Sequence, residues 1–297
     1  MKLNPRILAV VFALAITPVT AEEKVEITAT AVSGAVHMLQ GQGGNIGVSA
    51  GPDGVFMIDD QYAPLTDDIR AAIRKISKQP IRFVINTHWH GDHTGGNENL
   101  GKRGVVIVAH DNVRQRMSSE QFIRAFGKKV LPSPAVALPV ITFGDRVTFH
   151  LNGDEIRVRH VSPAHTDGDS IIHFVQSDVL HLGDIFFNGM YPFIDLSSGG
   201  SVDGMITAAQ TALNLAGPKT KIIPGHGPLT DKSGLQAYAD MLGDIRGRVQ
   251  AGVKKGQSLK QVQKSKPTAK WDADWTGGLL EPDAFVAIVY ESLGGKP

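Results

Sequence analysis

Short apolar runs separated by glycine-bearing turns set the pattern of the chain. Val25 to Thr30, Ala35 to Leu39, Ile46 to Ala50 and Val55 to Ile58 are rich in apolar and β-branched side chains and predict strands. Gly51-Pro52-Asp53-Gly54 predicts the tight turn that joins the last two. Leu65, Ile69, Ile73 and Ile76 then recur at three- and four-residue steps, which places them on one helical face, with Pro64 or Thr66 near the start and Pro80 beyond the end. Ile81 to Ile85 is almost wholly apolar and Gly104 to Ala109 repeats the form, the pattern of strands buried on both faces.

The second half repeats this scheme. Ile141 to Phe143, Arg146 to Leu151, Glu155 to His160, Ile171 to Gln176, Val179 to Leu182 and Lys221 to Ile223 read as strands, with Asn152-Gly153 as a two-residue hairpin turn. Ser201 is placed to cap a helix through Met205 to Leu215, and helical spacing returns from Leu235 to Val253 and from Asp283 to Leu293. Trp271 and Trp275 stand far from any chemical motif and are expected to pack on the core. Two β-rich halves, each closed by a helix, predict two sheets face to face with helices outside, in one domain over residues 22–297. The least regular stretch, Arg114 to Pro139, is expected to form a surface flap.

The first 21 residues belong to a different pattern. Lys2 and Arg6 precede an apolar stretch, Ile7 to Ile16, and Val19-Thr20-Ala21 supplies small residues for cleavage, the arrangement of a secretory signal peptide. The mature protein is therefore expected to be exported, and periplasmic in a Gram-negative source, with no membrane anchor after cleavage. Loss of Lys2 and Arg6 turns 30 basic against 29 acidic side chains into 28 against 29. That balance argues against nucleic acid as a partner and leaves a small-molecule substrate. The chain has no cysteine. Disulfide scaffolds, thiolate-held metals and cysteine nucleophiles are thereby excluded, and any metal must be held by His, Asp or Glu.

Such residues cluster in Thr87-His88-Trp89-His90-Gly91-Asp92-His93-Thr94-Gly95-Gly96, directly after the buried strand. At an extended strand end, His88 and His90 leave on the same side and can meet one metal. Gly91 is expected to turn the chain so that Asp92 and His93 point beside them. Further candidates follow other apolar runs: His165, Asp184 and His226, each in a loop bearing glycine or proline.

The series His88-x-His90-x-Asp92-His93, His165, Asp184, His226 resembles the metallo-β-lactamase superfamily over nearly the whole mature chain. The resemblance implies an α+β fold, a four-layer αββα sandwich with a binuclear metal site at one sheet edge. It also implies two zinc ions per chain, the first held by His88, His90 and His165, the second by Asp92, His93 and His226, with Asp184 bridging. Three neutral imidazoles leave zinc an open position, and a second zinc about 3.5–4 Å away would share a hydroxide nucleophile. Asp92 would orient that hydroxide and pass a proton to the leaving group.

Departures from the family pattern narrow the branch. One lactamase subclass has a cysteine where Asp184 stands and a lysine where Phe187 stands. Asp184 is more similar to the glyoxalase II and general-hydrolase branch, although no basic cluster for glutathione is evident and Lys254, Lys255, Lys260, Lys264 and Lys266 are the nearest candidate. The expected activity is hydrolysis of a small-molecule carbonyl in a β-lactam, lactone or thioester, with β-lactam hydrolysis the most nameable. The alternatives are an oxidoreductase like the mononuclear iron persulfide dioxygenases and a non-catalytic periplasmic zinc-binding protein. The loop Gln40 to Asn45 resembles the hairpin that flanks the groove in the family or is a plain turn. Asn188, Tyr191, Ser197 and Ser198 are candidate donors to a developing oxyanion.

Overall fold

A computed structural model of the chain describes residues 25–161 and 163–296; the segment read as a leader, residues 1–21, lies outside the described residues. The first half forms β1 (Thr28–Ser33), β2 (Val36–Gln40), β3 (Ile46–Gly51), β4 (Gly54–Ile58), α1 (Thr66–Ile76) and β5 (Ile81–Ile85). The short helices α2 (Gly91–Thr94) and α3 (Asn97–Gly101) follow, then β6 (Val106–His110) and α4 (Asp111–Met117). A small hairpin, β7 (Gln121–Ile123) with β8 (Lys128–Val130), precedes β9 (Ile141–Phe143). The second half contains β10 (Arg146–Leu151), β11 (Asp154–His160), β12 (Ser170–Phe174), β13 (Val179–His181), α5 (Val202–Leu215), β14 (Lys221–Ile223) and β15 (Thr230–Asp231). It closes with α6 (Lys232–Lys254), α7 (Leu259–Lys264), α8 (Asp272–Trp275) and α9 (Pro282–Ser292).

One sheet has the order β1-β2-β3-β4-β5-β6-β9, antiparallel up to β4 and parallel beyond it. The other runs β10 to β15 in order, and its single parallel pair is β13 with β14. Strand alternation builds the layers. In β4, Phe56 and Ile58 face the second sheet and meet Ile172, Phe174 and Ile223, while Val55 and Met57 face outward under Ile69 and Ile73 of α1. The second sheet turns Leu180 and Ile222 outward beneath α5, α6 and α9. The result is the expected four-layer αββα sandwich. Trp275 is buried in the outer helical layer, and Trp271 packs beside it with Nε1 donating to Asp244 at 2.8 Å.

Local chemistry accounts for the boundaries. Ser201 Oγ accepts from Gly204 N at 3.0 Å and starts α5. Asp67 and Asp68 in the first turn of α1, with Arg74 and Lys75 in its last, suit the helix dipole. Asn152 and Gly153 both take positive φ, 55° and 74°, as the two-residue turn between β10 and β11 requires. The Asn152 side chain then crosses to the other sheet. Its Oδ1 accepts from Asp53 N at 3.1 Å, and its Nδ2 donates to Gly54 O at 3.0 Å and to Ser49 O at 3.3 Å. Asp53 Oδ2 accepts in return from Asn152 N at 2.6 Å, so two hairpin turns of different sheets are tied together.

The loops that follow β4, β5, β11, β13 and β14 meet at one edge of the sandwich and carry every candidate metal ligand. The β10–β11 hairpin turn is not among them. Asn152→Gly, which keeps the backbone shape but removes the cross-sheet contacts, should therefore cost about 1–2 kcal/mol of stability. Urea unfolding should show this loss with metal content unchanged.

Candidate metal centre

β5 ends at Ile85, so His88 and His90 lie in the loop beyond it and not on the strand itself. Gly91 does not supply the sharp turn either. It is the first residue of α2, with ordinary helical backbone, and the chain reverses because His93 N and Thr94 N both donate to His90 O. This single turn of helix sets Asp92 and His93 beside His88 and His90.

All seven candidates come together in two groups that share one member. His88, His90, His165 and Asp184 each offer an atom within 4.8 Å of the others, and so do Asp92, His93, Asp184 and His226. Asp184 divides its carboxylate between them. Its Oδ2 lies 3.5 Å from His165 Nε2 and 3.8 Å from His88 Nε2, while Oδ1 lies 3.0 Å from His93 Nε2 and 3.3 Å from His226 Nε2. Asp92 Oδ2 completes the second group, 3.2 Å from His226 Nε2 and 3.5 Å from His93 Nε2.

Each imidazole in the core of the cluster is oriented from behind. His165 Nδ1 lies 2.8 Å from Phe193 O, and a carbonyl only accepts, so Nδ1 carries the proton and Nε2 presents its lone pair inward. The Asp195 carboxylate, 3.1 Å from His90 Nε2, turns Nδ1 of that ring inward to within 2.8 Å of His165 Nε2. Asp59 Oδ2 lies 2.8 Å from His93 Nδ1 and also accepts from Thr87 Oγ1 at 2.8 Å. The Thr87 hydroxyl has thus spent its one proton and accepts from His88 Nδ1 at 3.0 Å. His226 is steadied by Phe187, whose ring stacks on it at 5.1 Å, and by a backbone bridge between the two residues.

This arrangement leaves His88 Nε2, His93 Nε2 and Asp184 Oδ1 buried with no hydrogen-bond partner. Buried polar atoms are rarely left so, and here they face one another, which fits a bound cation. Charge points the same way. Burial alone would lower His93 and His226, but the carboxylates of Asp184 and Asp92 raise His93 well above the ordinary imidazole range and His226 to about 9. The cluster holds an excess of negative charge that a divalent metal would neutralise. For His88 and His165, burial outweighs the same Asp184 carboxylate and, with the neighbouring imidazoles, pushes His88 well below the imidazole range and His165 down to about 4, so both stay neutral as metal ligands must.

Two glycines are required by close approach. A Cβ on Gly44 would lie 2.1 Å from His93 Cε1, and one on Gly225 would lie 2.1 Å from Asp184 Oδ1. The loop Gln40 to Asn45 consequently packs beneath the centre, with Gly44 and Asn45 buried and Gly41 and Gln42 exposed, and Gly43 lies against Asp92 and Tyr62 of the cavity lining. Asn45 locks it there: its N donates to Gly225 O at 2.7 Å and its Nδ2 to Pro224 O at 2.9 Å.

A cavity of about 260 Å³ opens over His90, Asp92, Asp184 and His226. Its walls are Tyr62, the β7–β8 hairpin through Ile123, Phe126 and Lys128, and Phe187, Met190, Phe193 and Leu279. None of the four proposed oxyanion donors reaches it. Ser197 and Ser198 hydroxyls donate to Asp195 within their own loop, whereas Tyr191 Oη donates to Asp272 of α8 and Asn188 Nδ2 to Pro228 O, so all four are engaged elsewhere. The lysines from Lys254 to Lys266 are likewise absent from the cavity wall. Sequence reasoning missed Asp59, Asp195, Tyr62 and Lys128. Only Asp59 carried a signal, as an acid directly after the fully apolar β4.

Comparison with known proteins agrees with this geometry. Residues 39–228 match the family model described as the metallo-beta-lactamase superfamily. The alpha subunit of 2,4-dinitroanisole O-demethylase from a Nocardioides species is 25% identical over 141 residues, covering 47% of this chain and 40% of its own. A hydroxyacylglutathione hydrolase of Pelagibacter ubique is 24% identical over 150 residues, 49% of this chain and 52% of its own. The chain thus spans about half the length of the curated relatives it matches. Among solved structures, a metallo-beta-lactamase from Pontibacter korlensis superposes with a TM-score of 0.60 at 20% identity, over 74% of this chain and all of the other, which is likeness of fold.

Asp59 holds His93 and, through Thr87, His88, one ligand in each group. Asp59→Asn should therefore weaken metal binding about 10–100-fold. Competition with a chromophoric chelator measures this, and circular dichroism should show the fold retained.

Proposed function

The chain belongs to the metallo-beta-lactamase superfamily, and from that premise we propose that it is an exported hydrolase that uses two zinc ions to cleave a carbonyl compound of small size. The observation that carries the reading is the divided carboxylate of Asp184, one oxygen toward each donor group. Convergence of Asp92, His93 and His226 on a second point supports two metals over a single iron. Export rests on the sequence of residues 1–21; among the described residues no helix is long and apolar enough to cross a membrane.

When bound, such a pair of ions polarises the carbonyl and makes water acidic enough to attack near neutral pH. His88, His90 and His165 would hold the first ion, Asp92, His93 and His226 the second, and Asp184 both. The chain's own part is positioning and proton transfer. Burial would raise Asp92, but His93 and His226 beside it hold its carboxyl well below the usual carboxylate range. Asp92 is therefore ionised, and it lines the cavity, where it can take a proton from the attacking water and deliver it to the leaving atom. Water adds to the carbonyl carbon, the bond to the leaving heteroatom breaks, and the proton ends on that heteroatom. The apolar walls formed by Phe126, Phe187 and Phe193 exclude competing water.

A β-lactam, a lactone and a thioester all satisfy this chemistry, and a hydroxyacylglutathione hydrolase stands among the relatives. Metal analysis of the purified mature protein should give two zincs per chain. Assay against a chromogenic cephalosporin, a lactone and a thioester should show turnover that a chelator abolishes; one iron per chain, or no metal-dependent turnover on any of them, would overturn the proposal. Asp92→Asn should lower kcat by about 10²–10⁴-fold, the range of a lost general acid–base group. Asp184→Ala, which removes a ligand from both groups, should weaken retention of both metals, read by metal analysis after dialysis.

A further inference from the structure

The cavity wall contains one cation that the metal chemistry does not use. Lys128 opens β8, and across the hairpin it pairs with Ile123. Directly opposed residues of an antiparallel pair point to the same face, and Ile123 is buried against Trp89 and Phe193 beside the centre. Val130, two residues on, shares that face and packs on the same cluster, whereas Lys129 points away. Strand geometry therefore puts the exposed Lys128 on the face of the hairpin that lines the cavity.

Neighbouring cations are all spoken for. Lys129 pairs with Glu120 at 2.7 Å, Arg124 with Glu291, and Arg116 with Asp167 at 2.6 Å. Lys128 makes no hydrogen bond or ion pair among the described residues, and the only carboxylates that line the cavity, Asp92 and Asp184, belong to the metal cluster. Around it the wall is apolar: Phe126 is 47% exposed and packs, tilted, at 4.8 Å from Phe193, and Phe187 and Met190 line the same cavity. The hairpin is also anchored, since Arg124 N donates to Ser197 Oγ at 3.3 Å, so Lys128 is presented from a fixed element.

We infer that the substrate is an amphipathic anion, whose negatively charged group is bound by Lys128 and whose apolar group lies against Phe126, Phe193 and Met190, with the scissile carbonyl between them over the metal centre. The inference rests on the hydrolase reading and narrows it: uncharged esters and cationic compounds are excluded as preferred substrates. Lys128 is itself exposed, so the contact with an anion is shielded from water only when the apolar part of a bound substrate covers it against Phe126 and Phe193.

The test uses the zinc-loaded mature chain and calorimetric titration with 4-phenylbutyrate and its neutral amide. The wild-type protein should bind the carboxylate at least about tenfold more tightly than the amide, the value of one charge-assisted contact. Lys128→Met should remove that difference and leave amide binding as it was, while Lys128→Arg should retain most of it. Equal carboxylate affinity in the wild type and Lys128→Met would overturn the inference, since the metals alone would then hold the anion. Charge-dependent binding without turnover on any ester, thioester or β-lactam would overturn the hydrolase reading and leave the anion site standing. Turnover with no preference for anionic over neutral substrates would do the reverse.

Discussion

A single buried carboxylate organises this protein. Asp184 is 5% exposed and lies within 4 Å of four imidazole nitrogens, with one oxygen toward each of two donor groups. Burial raises its pKa, but His93, His226 and His88 more than reverse that and keep it ionised. A charge held out of water costs several kcal/mol unless it is matched, so each surrounding group must stand at a fixed distance and in a fixed protonation state. The outer residues supply that constraint. Asp59, Asp195, Thr87 and the Phe193 carbonyl each take one imidazole N–H and so direct the opposite nitrogen inward.

The fold meets this demand by topology. Five strand ends, from both sheets, deliver their loops to one edge, and the interlock is made by backbone as much as by side chains. Asn45 reaches from the first half to Pro224 and Gly225 of the second, and Gly225 in turn lies so close to Asp184 that no side chain fits. The stability of the sandwich and the precision of the centre are consequently linked through the same loops. The remote hairpin tie at Asn152 is separate from them and serves the packing of the two sheets alone.

Chemistry and selectivity come from different parts of the chain. The ligands ride on strand-end loops of the two sheets, whereas the cavity walls come largely from the β7–β8 hairpin, the segment after Asp184 and Leu279 near the C terminus. Such walls can change without moving a ligand. The relatives it resembles are named for quite different reactions, as expected where function lies in the site and not in the fold.

Much of this was legible in the amino-acid sequence. Apolar periodicity located Ile81 to Ile85, Ile141 to Phe143, Arg146 to Leu151 and Lys221 to Ile223 at their observed bounds, because a strand buried in a sandwich must alternate or saturate its faces. The seven ligand candidates were equally visible, since no packing role explains so many imidazoles and carboxylates beside glycine at the ends of apolar runs. The sequence could not show what orients those ligands or what lines the cavity above them. Asp195, Lys128 and Tyr62 carry no local pattern, and of the candidate oxyanion donors the serines are engaged by Asp195 in their own loop and Tyr191 by the distant Asp272. Periodicity reports which side of an element faces the core; which of two polar neighbours meets a distant ring depends on contacts across many tens of residues, and only the tertiary structure decides them.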